Sequence, residues 1–354
     1  MNRAKDEAGP RIGTRALVLT AGLGTRLRPL TWSQPKPLLP LCGRPLVRRT
    51  LESLSLAGCQ GAVLNLHHLP DAIPEALGDD VAGMPIRYSR EDPVQGTLGA
   101  LFPCRDFLGK AEVVTVVNGD SLCQWPVSSL LRRHRQTGAD VTLLLTPNRP
   151  ESTLGGGIAV DETGRVVQLR DHPSLPAIGR VRRHVFAGLH LFRPEILDRV
   201  PEGPGDVIDG LYQPLLSEGC EIRAVVTRRR WHDVGTPRRY LEAALDHAAS
   251  PWRGLRSGRF VSSDARIADS ATLRRVVVEA GAAVENGARV ERSLIMSGAQ
   301  VGPGAVLRDA ILGPGVSLGA GSNVEGRLLT HMHPRHVLNE GESQLGGLLY
   351  TPLA

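Results

Sequence analysis

Apolar runs alternate with helical patterns through the stretch up to about residue 250. Ala16–Thr20, Ala62–Leu66, Ile86–Ser89, Val113–Val117 and Val141–Leu145 are short and aliphatic, which predicts strands. Between the first two, Pro45 fits the first turn of a helix ending near Ala57, with Gly58 as its C-cap. Strand–helix–strand spacing of this kind predicts an α/β domain with a mostly parallel sheet. Its ligand site belongs at the carboxyl ends of the strands. After Leu145 the strands shorten (Gly157–Asp161, Val166–Leu169, Phe186–Phe192) and turns separate them, a pattern suited to covering one side of a cleft.

From Phe260 onward the helical period vanishes and a strict repeat replaces it. Ile267, Val284, Val301 and Leu318 recur every 17 residues, as do Leu273, Val290, Leu307 and Val324. Val278, Ile295 and Leu312 keep the same interval, and so do the glycine columns Gly281, Gly298, Gly315 and Gly287, Gly304, Gly321. Inward apolar residues at steps of six, five and six describe a three-sided coil with one shortened face. Each coil buries its aliphatic residue on that of the next, so the segment is predicted to be a parallel β-helix of about four coils.

The chain has 354 residues, room for two domains and a substantial core. No run of eighteen apolar residues is present, so no transmembrane helix is expected. Residues 1–14 are polar and charged and read as a disordered arm rather than a signal peptide. The 5 cysteines are scattered without C-x-x-C spacing, which fits reduced thiols in a cytoplasmic protein better than a zinc site or a disulfide framework. A net charge of +6 from dispersed arginines, with few aromatics, argues against nucleic-acid binding and suits anionic nucleotides.

Chemistry concentrates in Leu19–Pro40. The first strand runs into Ala21-Gly22-Leu23-Gly24-Thr25-Arg26, where glycines let the backbone turn sharply and bring N–H groups close to phosphate. Arg28, a Pro-Leu-Thr turn and Pro35-Lys36-Pro37 follow at fixed spacing. Lys5, Lys36 and Lys110 are the only lysines among 42 Lys plus Arg. A lysine between two prolines therefore marks a place where a compact point charge is wanted over a guanidinium fork. The combination closely resembles the signature of the sugar-1-phosphate nucleotidyltransferases, or nucleotide-sugar pyrophosphorylases, and the chain is most similar to their mannose-1-phosphate guanylyltransferase-like members.

That resemblance implies a Rossmann-like nucleotidyltransferase domain over 15–250, a left-handed hexapeptide β-helix over 258–328 and a tail over 329–354. It implies attack of a sugar-1-phosphate oxygen on the α-phosphorus of a nucleoside triphosphate, with pyrophosphate leaving. Such transfers need charge neutralisation, in-line positioning and a metal. Ala21, Gly22, Leu23, Gly24 and Thr25 would hold the triphosphate, Arg26 the leaving pyrophosphate, and Lys36 the reacting phosphates. Asp120 in Asn118-Gly119-Asp120, and Asp233 in Trp231-His232-Asp233-Val234-Gly235-Thr236-Pro237, would bind Mg²⁺.

Glu91, Gly96 and Thr97 lie in Glu-Asp-Pro-Val-Gln-Gly-Thr-Leu-Gly, which resembles the family's base-binding loop. An ionised Glu91 accepts hydrogen bonds only, so guanine, with adjacent N1–H and N2–H₂ donors, fits better than uracil or thymine. Gly157, Asp171, His172 and Gly188 correspond to the sugar-side positions. Asp171 and His172 stand where the family pattern F-x-E-K-P has glutamate and lysine, and the strand containing Gly188 lacks the family's asparagine. A histidine is a shorter, weaker phosphate clamp unless Arg170 or another arginine substitutes.

The expected partners are GTP and mannose-1-phosphate or a related hexose- or heptose-1-phosphate, with copies of the chain joined through the β-helix and neither nucleic acid nor membrane involved. Uridylyl, thymidylyl or adenylyl transfer by the same fold is an open alternative, and so is a non-catalytic nucleotide-sugar-binding subunit. An added acyltransferase site is disfavoured, because Phe260 to Thr330 contains no histidine to act as general base. His331, His333 and His336 follow in the tail without cysteines or spaced acids, a poor metal pattern.

Overall fold

Ten strands of a mixed, mostly parallel sheet realise the α/β expectation. In the computed structural model, which describes residues 13–147, 157–249 and 258–353, the sheet is built from β1 (Thr14–Leu19), β2 (Cys59–Leu66), β3 (Asp80–Val81), β4 (Met84–Arg90), β5 (Val113–Asn118), β6 (Ser121–Cys123, outside the sheet), β7 (Val141–Pro147), β8 (Ile158–Val160), β9 (Val166–Leu169), β10 (Arg182–Phe192) and β11 (Ile222–Val226). Its order is β11-β7-β10-β5-β1-β2-β4-β3, with β8 and β9 branching from β10. β1 runs parallel to β2 and β5, β2 to β4, and β11 to β7, while β10 lies antiparallel between β5 and β7. Every strand expected from the sequence is present. The expected helix runs over Leu46–Leu56, and Gly58 beyond it has φ 83°.

β1, β5 and β7 are apolar on both faces because helices and loops cover the sheet on each side. Leu17, Val114, Val116, Leu143 and Leu145 pack with Phe192, Leu211 and Tyr212 in one core. Burial of this kind, at roughly 25 cal/mol per Å² of apolar surface, is the main favourable term holding the unit together.

The solenoid confirms the 17-residue period column by column. Ile267 pairs with Val284, Val284 with Val301 and Val301 with Leu318 on one parallel sheet. Leu273, Val290, Leu307 and Val324 align on a second, and Val261, Val278, Ile295, Leu312 and Leu329 on a third. The tail then folds back: Leu348–Pro352 pairs antiparallel with Arg327–His331, and Leu348 and Tyr350 pack against the solenoid core. An apolar cap of this sort covers the last coil.

The described residues fall into two compact units. One comprises residues up to Gly22 together with Val47–Trp231; the other comprises Leu23–Leu46 together with the chain from His232 onward. The chain thus passes from one unit to the other inside the glycine loop. Leu23–Leu46 packs with the helix Pro237–Ala248 and the solenoid: Tyr240 donates its hydroxyl to Pro40 O, and Gly43 N–H donates to the Glu279 carboxylate at 2.7 Å. The arm over 1–14 lies outside the described residues except for Gly13 and Thr14, as do Gly155 and Gly156 of the sugar-side glycine run.

Candidate active site

In the first unit, polar groups at three strand ends are tied together. Thr20, just after β1, donates its backbone N–H to Asn65 Oδ1 at 2.7 Å and its hydroxyl to Asn65 O. Asn65 in turn donates Nδ2–H to Glu91 Oε1 at 2.8 Å, and Gln95 N–H donates to Glu91 Oε2 at 3.0 Å. Glu91 is 6% exposed. Both carboxylate oxygens therefore face inward and bind the loop to the strand that carries it, which narrows the expectation that this carboxylate reads a guanine edge.

The rest of that loop is held by close backbone approach. Gly96 has φ +72°, and a Cβ there would sit 2.4 Å from Gly205 O; one at Gly99 would sit 2.5 Å from Gly203 O. Leu98 N–H donates to Gly205 O, and the Thr97 hydroxyl accepts from Val207 N–H at 2.9 Å. Glycine is required at these positions because no side chain fits between the two backbones.

Asp120 follows β5, where Gly119 N–H donates to Leu19 O and a Cβ would meet Thr20 at 2.6 Å. β5 thus ends against β1, and its aspartate stands at the carboxyl end of the sheet. Gly188 (φ +85°) lies so close to Asn118 that a Cβ would approach Nδ2 to 2.5 Å. Gly157 (φ +69°) accepts Arg170 N–H through its carbonyl, and a Cβ there would crowd His184 O at 3.3 Å. Asp171 is exposed, whereas His172 Nε2 lies 3.1 Å from Asp209 Oδ1. Arg170 bridges Asp209 and Asp206. The histidine and arginine at the clamp position are thus paired with carboxylates.

The second unit gathers the cationic half of the signature. Gly24 takes φ +61°, its carbonyl accepts the Thr31 hydroxyl at 2.8 Å, and a Cβ would lie 3.3 Å from Lys36 Cβ. Lys36 is only 7% exposed, and its Nζ lies 3.9 Å from Asp233 Oδ1. Asp233 Oδ2 accepts from Arg239 Nη1 at 2.9 Å. Thr236 caps the helix Pro237–Ala248 by accepting Arg239 N–H, which aims that arginine back at Asp233. A Cβ at Gly235 would meet Asp233 Oδ2 at 2.9 Å and Arg26 Nη2 at 3.1 Å. Asp233 therefore joins Lys36 to Arg239 and stands with Arg26 against Gly235, while Leu23 and Thr25 are exposed on the loop.

Asn65, Asp206, Asp209 and Arg239 belong to these clusters but were not singled out in the sequence. Asn65 alone carried a signal, a polar residue closing an apolar strand. Among the described residues no three or more His, Cys, Asp or Glu side chains gather to hold a metal by themselves. Asp120 in the first unit and Asp233 in the second each offer a hard oxygen donor. Such donors fit Mg²⁺, which keeps much of its coordination for water and substrate phosphate.

Comparison with known proteins agrees with this chemistry. The family described as Nucleotidyl transferase matches residues 15–250, and GlmU-like, C-terminal hexapeptide matches 243–328. The chain is 33% identical over 279 residues to the mannose-1-phosphate guanylyltransferase of Mycobacterium tuberculosis, covering 76% of each. It is 30% identical to the mannose-1-phosphate guanylyltransferase catalytic subunit beta of Dictyostelium discoideum, over 64% of this chain and 62% of that protein. To the probable mannose-1-phosphate guanylyltransferase 3 of rice it is 32% identical, over 64% of this chain and 63% of that one. With two thirds of its length matching one family and the sheet, glycine loop and solenoid in place, the chain belongs to the nucleotidyl transferase family.

Proposed function

We propose that this protein joins a nucleoside triphosphate, GTP by preference, to mannose-1-phosphate or a related sugar-1-phosphate, releasing pyrophosphate. A phosphate oxygen of the sugar-1-phosphate attacks the α-phosphorus, the bond to the β-phosphate oxygen breaks, and the electron pair leaves with pyrophosphate. The observation that carries the reading is the buried Lys36 beside Asp233, Arg239 and Arg26. Lysine is seldom buried without a specific purpose, and here the cations Lys36, Arg239 and Arg26 outnumber the one carboxylate, Asp233, that they approach, a balance that suits an anion.

In this reading the backbone of Ala21–Thr25 binds the triphosphate, Arg26 neutralises the leaving group, and Lys36 holds the reacting phosphates in line. Asp120 and Asp233 are assigned to Mg²⁺, which when bound neutralises phosphate oxygens and orients them. Glu91 keeps the base loop folded, leaving backbone groups around Gly96 and Thr97 to read the base. Gly157 and Gly188 admit the sugar, and Asp171 accepts from its hydroxyls. The solenoid serves as an assembly module between copies of the chain. The pairing of His172 with Asp209 favours a second reading at the sugar side, an altered hexose or heptose in place of mannose.

The test is a pyrophosphate-release screen that crosses four nucleoside triphosphates with a panel of sugar-1-phosphates in the presence of Mg²⁺. GTP with one sugar-1-phosphate is expected to be fastest, and Asp120→Ala is expected to abolish release. Full activity in that variant would remove Asp120 from the metal site, and activity with UTP alone would overturn the choice of base.

A further inference from the structure

The apolar tail strand that covers the last coil does not account for the segment before it. His331–Glu342 leaves its own aliphatic residues outside, with Val337 at 81% and Leu338 at 47% exposure. It buries polar side chains: His336 and Glu342 are 5% and 4% exposed. Capping a solenoid needs only apolar cover. A directional polar network fixes a geometry instead.

That network ends on the nucleotide signature. The Trp32 indole stacks on the His333 ring, with centroids 4.9 Å apart and planes within 4°. Trp32 Nε1–H donates to His336 Nδ1 at 3.4 Å. An indole nitrogen can only donate, so His336 carries its proton on Nε2, which donates to Glu342 Oε2 at 2.8 Å. Glu342 also accepts from Asn339 N–H at 2.7 Å, from Asn339 Nδ2 at 3.0 Å and from the Thr351 hydroxyl at 2.8 Å. Thr351 lies on the last strand, paired to the solenoid through Leu328.

On the other side, Trp32 holds the Arg28 guanidinium 3.9 Å from its ring centroid. Its neighbour Thr31 donates to Gly24 O. A continuous path therefore runs from the solenoid strand through Thr351, Glu342, His336, Trp32 and Thr31 to the glycine turn, all within the second unit.

We propose that the carboxyl-terminal tail is a positioning element for the glycine turn, with Trp32 as the positioning residue through which His336 holds Gly24 and Arg28 in place. Only the kinetic arm of the test rests on the proposed nucleotidyl transfer. In the full-length protein, amide hydrogen exchange of the peptide spanning residues 23–34 is compared among wild type, His336→Ala, Trp32→Phe and the double variant. Exchange is expected to speed up about tenfold in each single variant, with no further gain in the double. Peptides from residues 283–312 should be unchanged, which also shows that the variants fold. Val337→Ser, in the same tail but outside the network, is expected to behave as wild type.

In the kinetic arm, the single variants should raise KM for GTP about tenfold and change kcat little. Unchanged exchange over 23–34 in both single variants would overturn the proposal, and so would additive effects in the double. Altered exchange in a protein that transfers no nucleotide would leave the coupling intact and refute the proposed reaction instead.

Discussion

Lys36 and Glu91 are both buried ionisable groups of the signature loops, yet their surroundings give them different duties. Lys36 sits between prolines and meets Asp233 at the long distance of 3.9 Å, a geometry that leaves a point charge within reach of an anion. Replacing it with methionine removes a charge while keeping much of the volume. We expect Lys36→Met to lower kcat about 100-fold or more, as loss of one preorganised electrostatic contact does. The melting temperature should hardly fall, because Asp233 keeps Arg239 and the cost of burying a lysine is relieved. Kinetics and thermal melts on the same preparation check both halves. Glu91→Gln turns an acceptor into a group with one donor end, so it cannot satisfy both Asn65 and Gln95. Stability should fall by about 1–3 kcal/mol and KM for the triphosphate should rise, with base preference kept. A switched base preference in that variant would restore Glu91 to direct base reading.

Among the elements, the coil is the most uniform. Stacking in parallel register puts residues 17 apart in contact, so a change in one coil is felt by its neighbours. Leu307 is fully buried between Val290 and Val324. Leu307→Ala should cost about 2–5 kcal/mol in denaturant titrations and loosen the adjoining coils in hydrogen exchange. The coil's period was readable because register stacking writes one column of residue types into the sequence. The strands were readable for a similar local reason, since a sheet covered on both faces demands continuous apolar runs. What stayed hidden was non-local. Nothing in Leu23–Leu46 announces that it packs with the helix Pro237–Ala248, a partner some two hundred residues away. Asn65, Arg239, Asp206 and Asp209 are ordinary polar residues until the fold brings them to Glu91, Asp233 and Arg170. The tail histidines show the converse. Weak as a metal pattern, His333 and His336 meet Trp32, which no spacing in the sequence links to them.

At the scale of the whole molecule, two buried histidines make stability depend on acid. Burial, aided by Arg193 and Arg135, lowers His134 to about 4, and burial alone lowers His190 to about 3. Both values lie below the ordinary 6.5, so the unfolded chain binds these protons first. Their contribution is fully present above pH 6.5 and is lost as pH falls toward 4 and then 3. Each proton contributes a slope of about 1.4 kcal/mol per pH unit. Urea midpoints between pH 6.5 and 4 should decline accordingly, and His134→Gln should flatten the decline. Within the described residues no helix is long and apolar enough to cross a membrane, and the cationic cluster of the second unit suits small phosphorylated reactants.

Everything said about catalysis depends on the α-phosphorus of the nucleotide being transferred to a sugar phosphate. Phosphorus NMR of a mixture of GTP, mannose-1-phosphate, Mg²⁺ and the full-length protein follows every phosphorus atom at once. The account predicts that the β and γ signals of GTP give way to inorganic pyrophosphate while the α signal and the sugar phosphate become one diphosphate diester. Conversion of GTP to GDP and phosphate, or no conversion with any sugar-1-phosphate, would contradict it.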